Sequence, residues 1–245
     1  MKEIQHLLSY VRRAVDDYQM IEEGDRIAVG VSGGKDSLTL LLALSELSKF
    51  YPKRFEVVAI TIDMGLVGMD FSPVTSICEA HGISYMIVKS EIAKIIFDIR
   101  KETNPCSLCA RMRRGALHDA AKAAGCNKVA LGHHADDVIE TFMLNLFFEG
   151  RIGTFSPVTH LSRKELTLIR PLLYAREKDV VSFTRQAQLP VVVSTCPEDH
   201  ATERENMKQL LRELDARHRG LRHRIFGAIC PGEIDGFHPA GNDRK

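Results

Sequence analysis

Apolar residues at positions 4, 7, 8, 11, 15 and 20 recur at the spacing of one helix face, so the first twenty residues predict an amphipathic helix. Beyond the turn-like Glu23-Gly24-Asp25 the pattern changes. Apolar runs of strand length stand at 27–31, 55–62, 83–88 and 128–131, and helix-compatible stretches lie at 36–49, 72–81, 110–124 and 135–148. Residues 150–156 read as a loop, 166–169 as a further strand, 177–187 as a helix, 191–193 as a brief strand-like run and 202–214 as a last helix. The Gly/Pro-containing end from 231 to 245 reads as poorly ordered. Strands alternating with helices predict an α/β fold, a doubly wound parallel sheet with helices on both faces. The expected organisation is an N-terminal helical segment over 1–24, one main domain over 25–215 and a basic, helical C-terminal extension over 216–245.

Composition narrows this picture only slightly. With 33 Lys+Arg against 32 Asp+Glu the 245-residue chain has no global basic bias, so any nucleic-acid contact must use a local positive field. No apolar run approaches the ~20 residues of a membrane span and the first residues lack the features of a signal peptide, which points to the cytoplasm and to no membrane partner. In that compartment the six cysteines are expected to stay reduced.

The densest chemistry follows the first strand. Ser32-Gly33-Gly34-Lys35-Asp36-Ser37 lies between a strand pattern and a helix pattern, where backbone N–H groups, a helix N-terminus, Lys35 and two hydroxyls can converge on a phosphate. It is not a Walker A loop, because Val29 stands where that motif needs glycine and Asp36 where it needs a hydroxyl. A second strand-to-helix junction carries Gly132-His133-His134-Ala135-Asp136-Asp137. Asp36 and Asp136 are the first candidates to hold Mg²⁺ near a triphosphate, with Asp137 as another, and a histidine such as His133 can donate to phosphate oxygen. One aspartate is equally explained by the dipole of the helix it starts. Lys35, Asp36 and Asp136 are the expected catalytic residues, and Asp63 is expected beside the adenine of a bound nucleotide. Strand-end convergence in an open α/β sheet would gather these loops at one rim.

Cys106 and Cys109 form a C-x-x-C pair near the start of a helix, and Cys196 follows the 191–193 run as the expected third ligand. Cys230 is its rival, while Cys78 and Cys126 read as buried small hydrophobes. On spacing alone, three thiolates suit either a zinc completed by a histidine such as His200 or a 4Fe-4S cluster with one open iron. Arg111, Arg113 and Arg114 adjoin the pair, and Arg212, Arg217, His218, Arg219, Arg222, His223 and Arg224 make a basic stretch. Such a stretch is either a solvated helix face or a phosphate-binding surface.

Taken in order, SGGKDS at 32–37, the 106–115 segment CSLCARMRRG, LGHHADD at 131–137, Arg170-Pro171-Leu172 and Arg176-Glu177-Lys178-Asp179 resemble the tRNA 2-thiocytidine synthetases, iron–sulfur-dependent thiolases of the PP-loop ATP pyrophosphatase superfamily. The likeness runs from about residue 4 to 214. Lysidine synthetases share the PP-loop without the cysteine set. The family commonly carries a second C-x-x-C; here Val193 stands at its first position and Cys196 at its second. The resemblance implies an ATP- and Mg²⁺-dependent enzyme, a homodimer, with a 4Fe-4S cluster on Cys106, Cys109 and Cys196. It further implies 2-thiolation of cytidine 32 in tRNA through an adenylated intermediate, with sulfur from a cysteine desulfurase or free sulfide held on the open iron. Thiolation of another base or a small molecule, and a non-catalytic iron–sulfur or nucleotide sensor, are the competing readings.

Overall fold

The computed structural model describes residues 2–100, 105–198, 203–232 and 234–237. Six strands form one sheet in the order β3-β2-β1-β4-β6-β5, built from β1 (Asp25–Gly30), β2 (Phe55–Asp63), β3 (Ser84–Lys89), β4 (Lys128–Ala130), β5 (Val158–Leu161) and β6 (Leu166–Ile169). All pairings are parallel except β5 with β6. The helices are α1 (Lys2–Asp17), α2 (Lys35–Ser48), α3 (Ser72–His81), α4 (Pro105–Ala123), α5 (Ala135–Phe148), α6 (Glu177–Gln186), α7 (Glu203–Arg217) and α8 (Leu221–Ile229).

Alternation along the strands explains the two covered faces. Ile27 and Val29 of β1 enter the larger core with α1, α2 and α6, whereas Ala28 between them enters a smaller core against Leu117 and Ala121 of α4. Helix α2 buries Leu38, Leu40, Leu41, Leu42, Leu44 and Leu47, an apolar surface too wide for a solvent-facing helix. Each of those side chains contributes about 1.5–3 kcal/mol on burial. The order reverses between β1 and β4, so the crevice outside their carboxyl ends is the place where this class of sheet binds ligands.

Several elements differ from the sequence pattern. Residues 191–193 form no strand, because Val192 N donates to Gly33 O at 3.0 Å and the segment straps the loop after β1 instead of joining the sheet. The antiparallel edge strand β5 was not predicted: four residues carrying Thr159 and His160 make too weak a pattern. A π-helix, Lys94–Ile99, was also missed. Helix α4 begins at Pro105 rather than 110, which places the C-x-x-C in its first turns. Beyond the predicted last helix comes α8, and the expected poorly ordered end includes a buried residue, Phe237. Residues 233 and 238–245 of that end, like Thr202 and His200, lie outside the described residues.

Candidate active site

The loop after β1 is shaped for an anion. Gly33 has φ +84°, a conformation that favours glycine, and a Cβ there would lie 2.7 Å from Cβ of Val192. Gly34 caps α2 with no side-chain hydrogen bond, so no side chain of the cap occupies the N–H groups of its first turn. Ser32 and Ser37 brace the loop: Ser37 Oγ donates to Gly34 O at 2.9 Å and lies 3.2 Å from Ser32 Oγ. Lys35 Nζ lies 2.9 Å from both oxygens of Asp36 and 3.4 Å from Glu177 Oε1. Burial opposes its charge, but those two carboxylates outweigh it and raise its pKa.

The loop after β4 stands directly alongside. A Cβ on Gly132 would meet the carbonyl carbon and oxygen of Asp36 at 3.1 Å and Ser37 N at 3.2 Å, so any larger residue would force the two loops apart by a few tenths of an ångström. His134 caps α5 in a reciprocal box with Asp137, and its Nε2 lies 3.6 Å from Asp36 Oδ1. His133 stacks on Phe155 with ring centroids 4.8 Å apart. Burial drives its pKa down to about 4, with Asp137 opposing and Arg170 and Arg204 assisting, and its Nδ1 has no partner among the described residues. Arg170 presses on the same ring, its Cζ 5.0 Å from the Phe155 centroid, and burial lowers its pKa to about 10.

Asp136 is put to a different use from the one expected. Both oxygens are taken: Arg176 Nε and an Arg176 terminal nitrogen each reach it at 3.0 Å, Glu177 N at 2.8 Å and an Arg222 terminal nitrogen at 2.7 Å. Four donors fill the acceptor capacity of a carboxylate, so Asp136 joins α5, α6 and α8 rather than offering oxygen to Mg²⁺. Burial opposes its ionisation, but these donors hold its pKa well below the usual carboxylate range. Of the expected carboxylates Asp36 is the most exposed, its side chain one-third accessible at the head of α2, while Asp137 is partly exposed and paired with His134 and Arg204. Asp63 closes β2, its Oδ1 accepting from Gly65 N at 2.9 Å while its carbonyl accepts from Ser90.

The cysteines reach the same rim from two directions. Cys109 Sγ lies 3.5 Å from the sulfur of Met64, the residue after β2. Burial raises the Cys109 thiol; the nearby Arg113 lowers it, while charge on Cys196 and Cys106 raises it, so both of those thiols lie within electrostatic reach of Cys109. The strap that bonds Gly33 carries Cys196 four residues after Val192. Among the described residues no three His, Cys, Asp or Glu side chains stand in a ready-made metal-ligating arrangement. Three thiols from a helix start and an irregular strap still match the donor chemistry of an iron–sulfur cluster. Cys230 packs beside Arg13 and Asp17 of α1, in the core on the other face of the sheet from α4. Cys78 and Cys126 are buried, as expected.

Arg170, Arg176 and Glu177 lie inside the sequence motifs without a local signal of their task, and Arg222 belongs to a stretch that reads as a solvated helix face or a phosphate-binding surface. The available signal was the Asp136-Asp137 pair itself, since a buried carboxylate at a helix start calls for arginines. Phe155 and Lys208, whose Nζ donates to Glu177 Oε1 at 2.5 Å, carried no sequence signal.

A glycine-shaped anion loop after β1, locked to a second loop after β4 at the reversal of strand order, defines a PP-loop nucleotide-binding domain, and residues 5–228 match the model for that domain. Two curated relatives are tRNA-cytidine(32) 2-sulfurtransferases: that of Pelobacter propionicus is 45% identical over 222 residues, covering 89% of this chain and 82% of that protein, and that of Geobacter metallireducens is 40% identical over 223 residues, covering 90% and 87%. The chain belongs to this PP-loop family of ATP-dependent tRNA sulfurtransferases. Among solved structures, the U34-tRNA thiolase NcsA from Methanococcus maripaludis with its [4Fe-4S] cluster superposes with a TM-score of 0.74 at 27% identity, covering 90% of this chain and 76% of that one.

Proposed function

We propose that the chain is a tRNA-cytidine(32) 2-sulfurtransferase that activates the acceptor by adenylation. The observation that carries this reading is the strap: one segment bonds the anion loop through Val192 and carries Cys196, which ties the nucleotide site to the thiol site over four residues. The backbone N–H groups of 33–37 and Lys35 bind the phosphates, and Asp36 is the carboxylate suited to Mg²⁺. The cytidine O2 attacks the α-phosphorus, the bond to the bridging oxygen of the β-phosphate breaks, and pyrophosphate leaves. Sulfur at the sulfide oxidation level then attacks C2 and expels AMP, which carries away the former carbonyl oxygen. Each replacement thus consumes one ATP and needs no oxidant. Cys106, Cys109 and Cys196 would hold a 4Fe-4S cluster, which supplies an open iron position suited to a soft sulfur nucleophile. His133, neutral at physiological pH, donates or accepts a hydrogen bond without adding charge.

The test is anaerobic reconstitution with iron and sulfide, followed by incubation with MgATP and an unmodified tRNA transcript bearing C32, nucleoside digestion and mass spectrometry. The expected product is 2-thiocytidine with equivalent AMP and pyrophosphate, lost in Lys35→Ala and in Cys109→Ala. Pyrophosphate release without a thionucleoside, or full thiolation by Cys196→Ala, would refute the scheme. The likeness to a U34 thiolase favours a second reading, an acceptor uridine, and 2-thiouridine in the same digest would select it.

A further inference from the structure

Next to the nucleotide site, on the far side of Glu177, a cavity of about 390 Å³ opens between the start of α6, the end of α7 and the start of α8. We propose that this cavity binds a backbone phosphate of the RNA substrate; the inference rests on the RNA reading above and assigns it a seat. Four of its lining side chains are cations, Arg176, Lys178, Arg212 and Arg222, against the carboxylates of Asp136, Glu177 and Asp215. Asp136 has both oxygens filled by Arg176, Arg222 and a backbone N–H, and Glu177 is committed to Lys208 and Lys35. Neither is free to neutralise the other cations, and the third carboxylate, Asp215, accepts from Arg222 N at 3.1 Å and faces Arg176, which leaves Lys178 and Arg212 without a close carboxylate. Lys178 is exposed and has no hydrogen-bond or ion-pair partner among the described residues, and exposed Arg212 has only Glu205 at 4.0 Å. A phosphodiester supplies the missing acceptors: an anionic group whose two free oxygens match a guanidinium fork and an ammonium donor.

The position argues for RNA over a free nucleotide. Glu177 lines the cavity and holds Lys35 from the other side, so a carboxylate separates the two anion seats and the phosphates on the 33–37 loop do not extend into it. Outward from the cavity Arg217, His218, Arg219 and His223 lie exposed at the junction of α7 and α8, a basic track along which a strand could continue. The basic stretch of the sequence thus divides: Arg222 is buried in the Asp136 clamp and Arg224 donates to the carbonyls of Arg219 and His218, while Arg212 and its exposed neighbours face solvent.

Binding of an unmodified tRNA transcript to the full chain, measured by fluorescence anisotropy across a salt series, tests the assignment in the double variant Lys178→Gln, Arg212→Gln. The expected result is affinity weaker by about tenfold and a log–log salt slope smaller by about 1 to 2, with MgATP affinity and melting temperature unchanged and binding retained in Lys178→Arg, Arg212→Lys. Wild-type tRNA affinity and slope in the Gln variant would overturn it. So would weakened MgATP or pyrophosphate binding with tRNA affinity intact, which would give the cavity to the nucleotide. A wild-type chain that binds tRNA through these cations yet forms no thionucleoside refutes the catalytic reading and leaves the phosphate seat standing; one that binds no tRNA removes both.

Discussion

One hydrogen atom in place of a methyl group lets the two nucleotide-side loops touch. In Gly132→Ala the new Cβ meets backbone of Asp36 and Ser37 at 3.1–3.2 Å, and backbone cannot swing aside as a side-chain tip can. The variant is expected to lose about 1–3 kcal/mol of stability and about tenfold in ATP affinity, read by thermal melting and calorimetric titration. Unchanged ATP affinity would mean that the loops are not held by this contact. Glu140 makes the opposite kind of prediction, because its native state is the costly one. Burial and the neighbouring Asp137 raise its pKa to about 7, against the pull of Arg204 and Lys208, and its Oε1 has no partner among the described residues. A carboxyl raised in the folded state is protonated there while the unfolded chain has already ionised, so stability falls as pH climbs from about 4.5 to 7 and stays low above it. Glu140→Gln is therefore expected to match wild type near pH 5 and to exceed it by up to about 3 kcal/mol at pH 8. Equal denaturation midpoints at both pH values would rule out a buried, strained carboxyl.

Three helices meet on Asp136, so this one side chain acts at the scale of elements. Its pKa is depressed, so its contribution is complete above the unfolded value of about 4 and is lost as pH falls below it. Asp136→Asn leaves Arg176 and Arg222 short of a counter-charge and is expected to cost about 2–4 kcal/mol at pH 7, discounted from a fully buried pair because Arg176 is partly exposed. The gap between variant and wild type should shrink when urea denaturation is repeated between pH 5 and pH 2; a constant gap would show that shape rather than charge matters. The same clamp marks the limit of what periodicity could reveal. Strands β1, β2 and β4 and helices α2, α3 and α5 were legible because their apolar residues repeat at strand or helix period, and the PP-loop because its glycines and lysine sit between two such patterns. The strap has strand composition in Val191, Val192 and Val193, but its partner is a loop glycine that periodicity cannot name. Roles that depend on partners distant in sequence, such as Arg222 reaching Asp136 across 86 positions, carry no local pattern at all.

At the scale of the whole molecule, the two ends of the described chain close on each other through aromatic rings. Tyr18 after α1, Tyr174 between β6 and α6, Phe226 of α8 and Phe237 form a cycle with centroid separations of 6.0–6.4 Å, and Phe237 is fully buried. Three of the four contacts are edge-on and the Tyr18–Tyr174 pair is tilted; aromatic pairs of this kind add about 0.5–1.5 kcal/mol each to the area they bury. The cycle seats α8, and α8 delivers Arg222 to the clamp behind Glu177 and Lys35. Phe237→Ala is expected to cost about 3–5 kcal/mol and to lower the melting temperature by roughly 10 °C. If α8 acts through Arg222, the same variant also loses ATP affinity at a temperature where it remains folded, whereas Val74→Ala, a truncation in the same core but on α3, loses stability alone. Equal ATP affinities for the two variants would confine the C-terminal helix to holding the fold together; a loss in Phe237→Ala only would tie nucleotide binding to a residue more than two hundred positions from the loop that performs it.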